Sequence, residues 1–421
     1  MIRALKENNS IHFARSLEDV KQIVLSHEKK SFKYIFLRAC ISVRVFFSNS
    51  LLGIIRFLLF KREGCARQDF NNIIIYTVGL LGDNIAILPA IAAFRRRYPS
   101  SRITVINNVQ IWNPQSTEEL YSSLSYIDNF IVIKNYDCPV QRQGLSFRLV
   151  VEELKDMTCD LFVNLSPFGN RGWFGAVLRE MIFARMIGAK KAVGFRVRTY
   201  RKNKIFNKVQ IHFMKNVPRM SRYILKELDI YPIENEDILP KNDLIKSNIT
   251  RKMSFDETRD RPFIVMNPGG KYKVKYWPAE RFGRVAKIIS EKYDLNVILT
   301  GITTETNIAE EVTLAADKKN ILNLVGKTNV FELIEILRLA KGCITNDTGT
   351  MHIAAMLGIP TVAIFTSRES PLIWFPLGKN VIAIYSFHEC SYCYDDQCQE
   401  TICTKSIQLN DVLYAFEKIM N

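Results

Sequence analysis

The residues best able to do chemistry sit in a short turn within Thr345–Ser370, which reads TNDTGTMHIAAMLGIPTVAIFTSRES. An apolar strand runs into Asp347, Thr348, Gly349 and Thr350, and a small-residue helix follows with His352 about one turn into it. Free backbone N–H groups at a helix start form a natural anion site, and threonine hydroxyls add donors. His352 can donate to a phosphate oxygen. The residues alone leave a second reading open, with Asp347 as a plain N-cap and His352 packed on a sheet.

Two further stretches carry charge at comparable turns. NPGGKYKVKYWPAERF places Gly269 and Gly270 after a strand, followed by Lys271, Lys273 and Lys275. Lys275, beside Tyr276 and Trp277, is the better diphosphate ligand, and the other two fit a solvated run. In the first half of the chain, Gly79-Leu80-Leu81-Gly82-Asp83 puts an acid at the start of a helix, where the helix dipole keeps it ionised. Such a carboxylate can act as general base toward a hydroxyl, or simply cap the helix.

These turns need a frame to hold them. Asn72–Val78 is a buried strand, residues 79–82 a turn, residues 85–98 a helix and residues 103–106 the next strand. CDLFVNLSP and KKAVGFRV continue the sheet around the helix RGWFGAVLREMIFARMIGA. A second alternating run begins at PFIVMNPGG and continues through NVILTG, ILNLVG, CITNDTG and TVAIFT. Strands alternating with helices imply parallel sheets, with ligands outside the carboxyl ends of the strands. The reading is α/β with two Rossmann-like domains whose sheets face each other across a cleft. Residues 1–70 form a helical extension that suits a membrane surface, residues 71–245 the first domain and residues 261–405 the second. Residues 241–261 form a polar linker, and residues 406–421 a C-terminal helix.

At 421 residues the chain is long enough for two cores. Hydrophobic residues at 48% and charged residues at 24% are ordinary for a globular protein, excluding disordered and fibrous classes. A net charge of +16 favours an anionic partner. The first residues lack the apolar core of an export signal, which makes a cytoplasmic location the expectation. Residues 33–62 are apolar but interrupted by Arg38, Arg44 and Arg56, so no stretch is expected to span a membrane. That segment suits either a basic amphipathic helix on a membrane surface or a buried helix capping the first domain. Nine cysteines include a late cluster, Cys390, Cys393, Cys398 and Cys403. Its opening Cys-x-x-Cys fits a structural zinc or iron knuckle, whereas its C-x4-C half is irregular, so plain thiols or disulfides fit as well.

Taken together and in this order, GDNIAILPAIAAFRRRYP, NPGGKYKVKYWPAERF and NDTGTMHIAAMLGIPTVAIFTSRESPLIWFP resemble glycosyltransferase family 9, the ADP-heptose:lipopolysaccharide heptosyltransferases. The resemblance covers roughly residues 71–421 and implies the GT-B fold. It implies inverting transfer of heptose from ADP-heptose to a hydroxyl of lipopolysaccharide inner core, with no metal needed for the chemistry. Asp83 matches the family's general base and Lys275 its diphosphate lysine. Asp347, Thr348, Gly349, Thr350 and His352 match its phosphate and sugar contacts, and Gly269 and Gly270 its small-residue turn. Glu305 is the nearest match to an acid that meets the ribose. The turn Gly326-Lys327-Thr328 would face the nucleobase, and Gly82 would flank the donor.

Related proteins that heptosylate autotransporters hold a structural iron through cysteines, which implies a similar role for the late cluster. The three-lysine run departs from the family pattern, so Lys271 or Lys273 could share the role of Lys275. The basic and aromatic residues 196–219 suit an acidic glycan acceptor and contain no nucleic-acid-binding motif. The resemblance implies peripheral work at the inner face of the cytoplasmic membrane. A protein hydroxyl as acceptor and a non-catalytic nucleotide-sugar binder are the alternatives.

Overall fold

The structure is a computed structural model that describes residues 11–27, 32–60, 69–109, 115–134, 152, 154, 157–166, 174–196, 221–233, 237–252, 261–316 and 321–421. The chain divides into two compact units, Lys29–Ile238 and Leu239–Asn421, the latter joined by Met1–Glu28.

In chain order, β1 (Ile11–Ala14), α1 (Leu17–His27) and α2 (Phe32–Leu59) precede β2 (Asn72–Val78), α3 (Leu81–Arg97) and β3 (Arg102–Val109). Next come α4 (Gln115–Ser122), β4 (Asn129–Lys134), β5 (Leu161–Asn164), α5 (Phe174–Met186), β6 (Lys191–Val193) and α6 (Ser221–Leu225). Then α7 (Asp243–Lys252) leads to β7 (Phe263–Asn267), α8 (Ala279–Tyr293), β8 (Asn296–Leu299) and α9 (Thr306–Ala315). The chain continues through β9 (Ile321–Asn323), α10 (Val330–Leu339), β10 (Gly342–Asn346) and α11 (Gly349–Met356). It closes with β11 (Thr361–Ile364), α12 (Pro371–Trp374), β12 (Val381–Ser386), α13 (Ile402–Lys405) and α14 (Leu409–Met420).

The unit Lys29–Ile238 holds a five-stranded sheet in the order β4-β3-β2-β5-β6, parallel throughout. β2 reads NIIIYTV because helices or loops cover both faces of a parallel sheet, which leaves no polar side for alternation. Ile74, Tyr76, Ile106, Phe162 and Phe183 form its core, joined by Leu52 of α2 and by Phe60 just past the end of that helix.

The other unit holds a seven-stranded sheet in the order β1-β12-β11-β10-β7-β8-β9. Its strands are parallel except β1, which pairs antiparallel with β12 at the edge. On one face, Trp277, Phe282, Ile289, Val412 and Phe416 gather α8 and α14 into a single core, so α14 belongs to the unit rather than trailing from it.

Several expectations are corrected. The N-terminal segment is not helical throughout, because Ile11–Ala14 is a strand; four residues IHFA carry no periodicity, and pairing with β12 decides their state. The polar stretch 241–261 is not a plain linker, because Asp243–Lys252 forms α7 and packs on α10. Ile249 is fully buried there, and Arg338 of α10 donates to the carbonyl of Pro240 at 2.8 Å. The helix after β2 starts at Leu81, four residues earlier than residue 85, because Asp83 caps it from inside. By length and composition, Ser42–Leu59 within α2 reaches the size of a membrane span, since only Arg44 and Arg56 interrupt it. The acceptor stretch 196–219 lies outside the described residues except for Arg196.

Candidate active site

The loops after β7, β8, β9 and β10 all leave the carboxyl ends of neighbouring strands, where an open parallel sheet binds ligands. Backbone and amide bonds tie these loops together. Asn346, at the end of β10, donates through Nδ2 to the carbonyls of Pro268 at 2.6 Å and Gly269 at 3.1 Å. Its Oδ1 accepts from the Trp277 backbone N–H at 3.2 Å. Gly326 N–H donates to the Gly301 carbonyl at 2.9 Å, which draws the Gly326-Lys327-Thr328 turn onto the loop after β8.

Trp277 is fully buried and donates from its indole to the Ile407 carbonyl at 2.8 Å. With Trp277 fixed, the 3-10 turn Lys273–Lys275 sends only its last lysine inward. Lys271 and Lys273 are exposed, so neither shares the buried position of Lys275. The Lys275 side chain is 11% exposed and Asp347 5%, and Nζ lies 2.6 Å from Asp347 Oδ2 and 3.4 Å from Glu369 Oε1. Burial opposes the ammonium's charge, but the Asp347 and Glu369 carboxylates outweigh it and raise the lysine pKa.

Asp347 therefore pairs with Lys275 and is not the cap of α11. That position belongs to Thr348, whose hydroxyl makes no capping bond and instead lies 3.2 Å from the Thr345 hydroxyl. The helix start beside a buried ammonium is thus left without a side-chain cap, an arrangement that suits an anionic group. Gly349 is half-buried at this start and Thr350 is buried. Gly270 has a φ of +151°, a conformation that favours glycine, and a Cβ there would also come within 3.2 Å of Thr348 Cγ2 in the facing loop.

His352 is buried one turn into α11, 6.0 Å from the Trp374 ring. Burial, helped by the nearby Lys275 charge, pushes its pKa down to about 3. It is therefore a neutral imidazole, able to donate a single N–H. The sign of its pH effect follows: the folded state refuses a proton that the unfolded histidine accepts below its ordinary value of 6.5. Stability is present above that value and is lost as pH falls toward the folded one. Between pH 7 and pH 5 the loss from this residue should be about 2 kcal/mol. Chemical denaturation at both pH values should show that decrement shrinking in His352→Gln; an unchanged decrement would assign it to other groups.

Glu305, expected at the ribose, clamps backbone. Its Oε1 accepts from Gly270 N–H at 2.6 Å and its Oε2 from Ile302 N–H at 3.0 Å. Burial raises its carboxyl pKa against the lowering effect of those two bonds. Thr328 is half-buried in the turn beside this loop.

Arg368, after β11, was not expected from sequence. Its guanidinium is 5% exposed, pairs with Glu369 at 2.9 Å and with Asp396, and lies 5.3 Å over the Tyr272 ring. Only its place after a strand end, where SRES interrupts small residues, could have signalled it.

The cysteine loop attaches here too, since Tyr392 N–H donates to the Ser367 carbonyl at 2.7 Å and Tyr394 N–H to that of Arg368 at 3.0 Å. Cys390 is exposed, Cys393 and Cys398 half-buried and Cys403 buried, all as free thiols. Cys403 Sγ lies 2.9 Å from the Thr366 hydroxyl. Among the described residues no three His, Cys, Asp or Glu side chains converge on a point that could hold a metal ion. As placed, the four thiols do not converge as the zinc or iron knuckle that the Cys-x-x-Cys opening fits, although the other three lie near enough to Cys390 to add to burial in raising its pKa.

Gly82 and Asp83 belong to the other unit, at the carboxyl end of β2. Leu80 N–H donates to Asp83 Oδ2 at 2.7 Å, so the carboxylate also caps α3. Gly79 takes a φ of +135°, and a Cβ there would fall 2.4 Å from Asp83 Oδ2. The buried Asn84 fixes the turn. Its Nδ2 donates to the carbonyls of Gly79 and Leu80, and its Oδ1 accepts from Tyr121 Oη at 2.7 Å and Asn107 Nδ2 at 2.9 Å.

Residues 178–403 match the family model described as Glycosyltransferase family 9 (heptosyltransferase). That stretch contains Lys275, Glu305, Asp347 and His352, and Asp83 lies before it. Lipopolysaccharide heptosyltransferase 3 of Escherichia coli K12 is 22% identical over 307 residues, covering 72% of this chain and 85% of that protein. Lipooligosaccharide heptosyltransferase 2 of Haemophilus ducreyi is 26% identical over 180 residues, 39% of this chain. The chain spans about half the length of that second relative, 51%. Among solved structures, the ADP-heptose LPS heptosyltransferase II of E. coli superposes with a TM-score of 0.60 at 19% identity. The superposition covers 83% of this chain and 98% of that one, and the shared architecture is two Rossmann-like α/β units of GT-B type.

Proposed function

This chain belongs to glycosyltransferase family 9, and from that premise we propose that it is an inverting transferase moving heptose from ADP-heptose to a hydroxyl of lipopolysaccharide inner core. The observation that carries the reading is the buried Lys275–Asp347 pair beside the uncapped start of α11. The two groups divide the donor's chemistry between them. An ammonium and a row of N–H groups suit a diphosphate, and a carboxylate next to them suits sugar hydroxyls, which donate. The names of the relatives support the same donor and acceptor class.

Asp83 serves as the base. It takes the proton of the acceptor hydroxyl while that oxygen attacks the anomeric carbon from the face opposite the diphosphate. The new C–O bond forms as the bond from carbon to diphosphate oxygen breaks, and ADP leaves with the electron pair. Lys275 and the N–H groups of α11 offset the charge that develops on the leaving phosphate, the term that usually dominates such catalysis. This reading sets the reaction in the cytoplasm, with the acceptor presented at the inner face of the cytoplasmic membrane.

Incubating the purified protein with labelled ADP-heptose and a heptose-deficient lipopolysaccharide core tests the proposal. Label is expected in the core, with inverted anomeric configuration by NMR. Label entering only a polypeptide acceptor would replace the acceptor, and ADP binding with no transfer to either would overturn the catalytic reading.

A further inference from the structure

The helix α2 has two apolar faces. One face packs on its own unit, where Leu52 is 1% exposed and joins the core of Phe162 and Phe183, with Val45, Ile55 and Leu59 packed around it. On the same helix Arg56 reaches Glu227 at 2.9 Å. The other face carries Val43, Phe46, Phe47, Leu51, Ile54 and Leu58, at the 3- and 4-residue steps that align on one side of a helix. These six are between 47% and 74% exposed. From Val43 to Leu58 the stripe runs about 22 Å at 1.5 Å per residue.

We propose that this outward stripe of α2 is a membrane-docking face, which lies in the headgroup region of an anionic phospholipid bilayer. Two observations choose lipid. First, α2 contains four basic residues, Lys33, Arg38, Arg44 and Arg56, and no acid, within a chain of net charge +16. A basic helix with bulky apolar side chains on one face is the composition that binds anionic interfaces. Second, the helix cannot cross the bilayer while its other face is fastened to the protein by Leu52 and the Arg56–Glu227 pair. It must therefore lie in the plane and insert only the exposed stripe.

The inference deepens the functional reading, and rests on it for the direction of the membrane, by supplying how the enzyme stays beside a lipid-linked acceptor. Vesicle binding is measured without donor or acceptor, so its failure and the failure of the transferase reading are distinguishable. The full chain is sedimented with vesicles of phosphatidylethanolamine and phosphatidylglycerol, and with neutral phosphatidylcholine vesicles. Binding to the anionic vesicles is expected, weaker on the neutral ones and weaker at high salt.

The double variant Phe47→Glu, Leu51→Glu should lower anionic-vesicle partitioning by more than tenfold with an unchanged thermal melt. Leu314→Glu, at an exposed apolar position of the other unit, should leave partitioning unchanged. Partitioning that survives the double variant would overturn the proposal. So would a dimer in size-exclusion chromatography that the double variant dissociates while wild type ignores vesicles, because a second copy would then cover the stripe.

Discussion

Replacing Lys275 with alanine is expected to destabilise the unit that contains it and to abolish most transfer. Asp347 and Glu369 would both lose the ammonium, and Asp347 is nearly inaccessible to water. Removing one partner of a buried pair typically costs about 3–5 kcal/mol, because the remaining charge stays desolvated. Glu369 keeps Arg368 at 2.9 Å, so the penalty falls mainly on Asp347. A double variant, Lys275→Ala with Asp347→Ala, separates the two effects. It removes both charges, so its midpoint in urea should lie above that of the single variant. Its transfer rate should still be down by about 10²–10³-fold, the scale set by one lost charge stabiliser at a leaving group. Since the lysine pKa is raised, the residue stays charged through the ordinary pH range, and donor affinity should show no pH step from it near neutrality. Full stability together with undiminished kcat/KM in the single variant would remove Lys275 from the site.

Much of the frame was legible because a strand buried on both faces announces itself as an unbroken apolar run. Asn72–Val78 matches β2 at both ends, and residues 296–299 and 361–364 stand out in the same way. The misses have the opposite character. IHFA becomes β1 because β12 offers an edge, and nothing local distinguishes those four residues from coil. DLIKSNITRK packs on α10 with Ile249 buried, and its one local mark is the Asn242 cap, whose Oδ1 accepts from Leu244 and Ile245 N–H.

The site divides along the same line. Glycine turns marked the strand-end loops, because Gly79 and Gly270 stand where other residues would be strained or collide. Which side chains face a ligand was not written in the spacing. Lys271, Lys273 and Lys275 alternate identically in sequence, and the burial of Trp277 is what turns the third inward. Two asparagines, Asn84 and Asn346, organise the turns in each unit through five and three hydrogen bonds respectively. Each is a single amide whose role depends on partners far away in the chain. Glu305 shows the reverse case: an acid at the expected place whose two oxygens hold backbone N–H groups.

Asp83 offers the sharpest separation of capping from catalysis, because one isostere preserves the first and removes the second. Asp83→Asn keeps an oxygen that can accept from Leu80 N–H, so α3 should retain its cap and the protein its melting temperature. The amide cannot take a proton from the acceptor hydroxyl. Turnover is therefore expected to fall by about 10²–10⁴-fold, the usual contribution of a positioned base. Affinity for ADP, measured by calorimetry, should be unchanged, since the groups proposed to hold the donor, Lys275, Asp347 and Thr348, lie in the other unit. Asp83→Ala should lose the same activity and, in addition, about 1 kcal/mol of stability from the missing cap. If the residue were only a cap, the order would reverse: Asp83→Asn would turn over at nearly the wild-type rate, and Asp83→Ala would be merely less stable. The close approach of Gly79 to this carboxylate allows a further check. Gly79→Ala would press a methyl into Asp83 Oδ2 and force the side chain aside, so its activity should fall while the carboxylate itself remains. A loss in Gly79→Ala that matches the loss in Asp83→Asn would tie turnover to where that carboxylate points as well as to its charge.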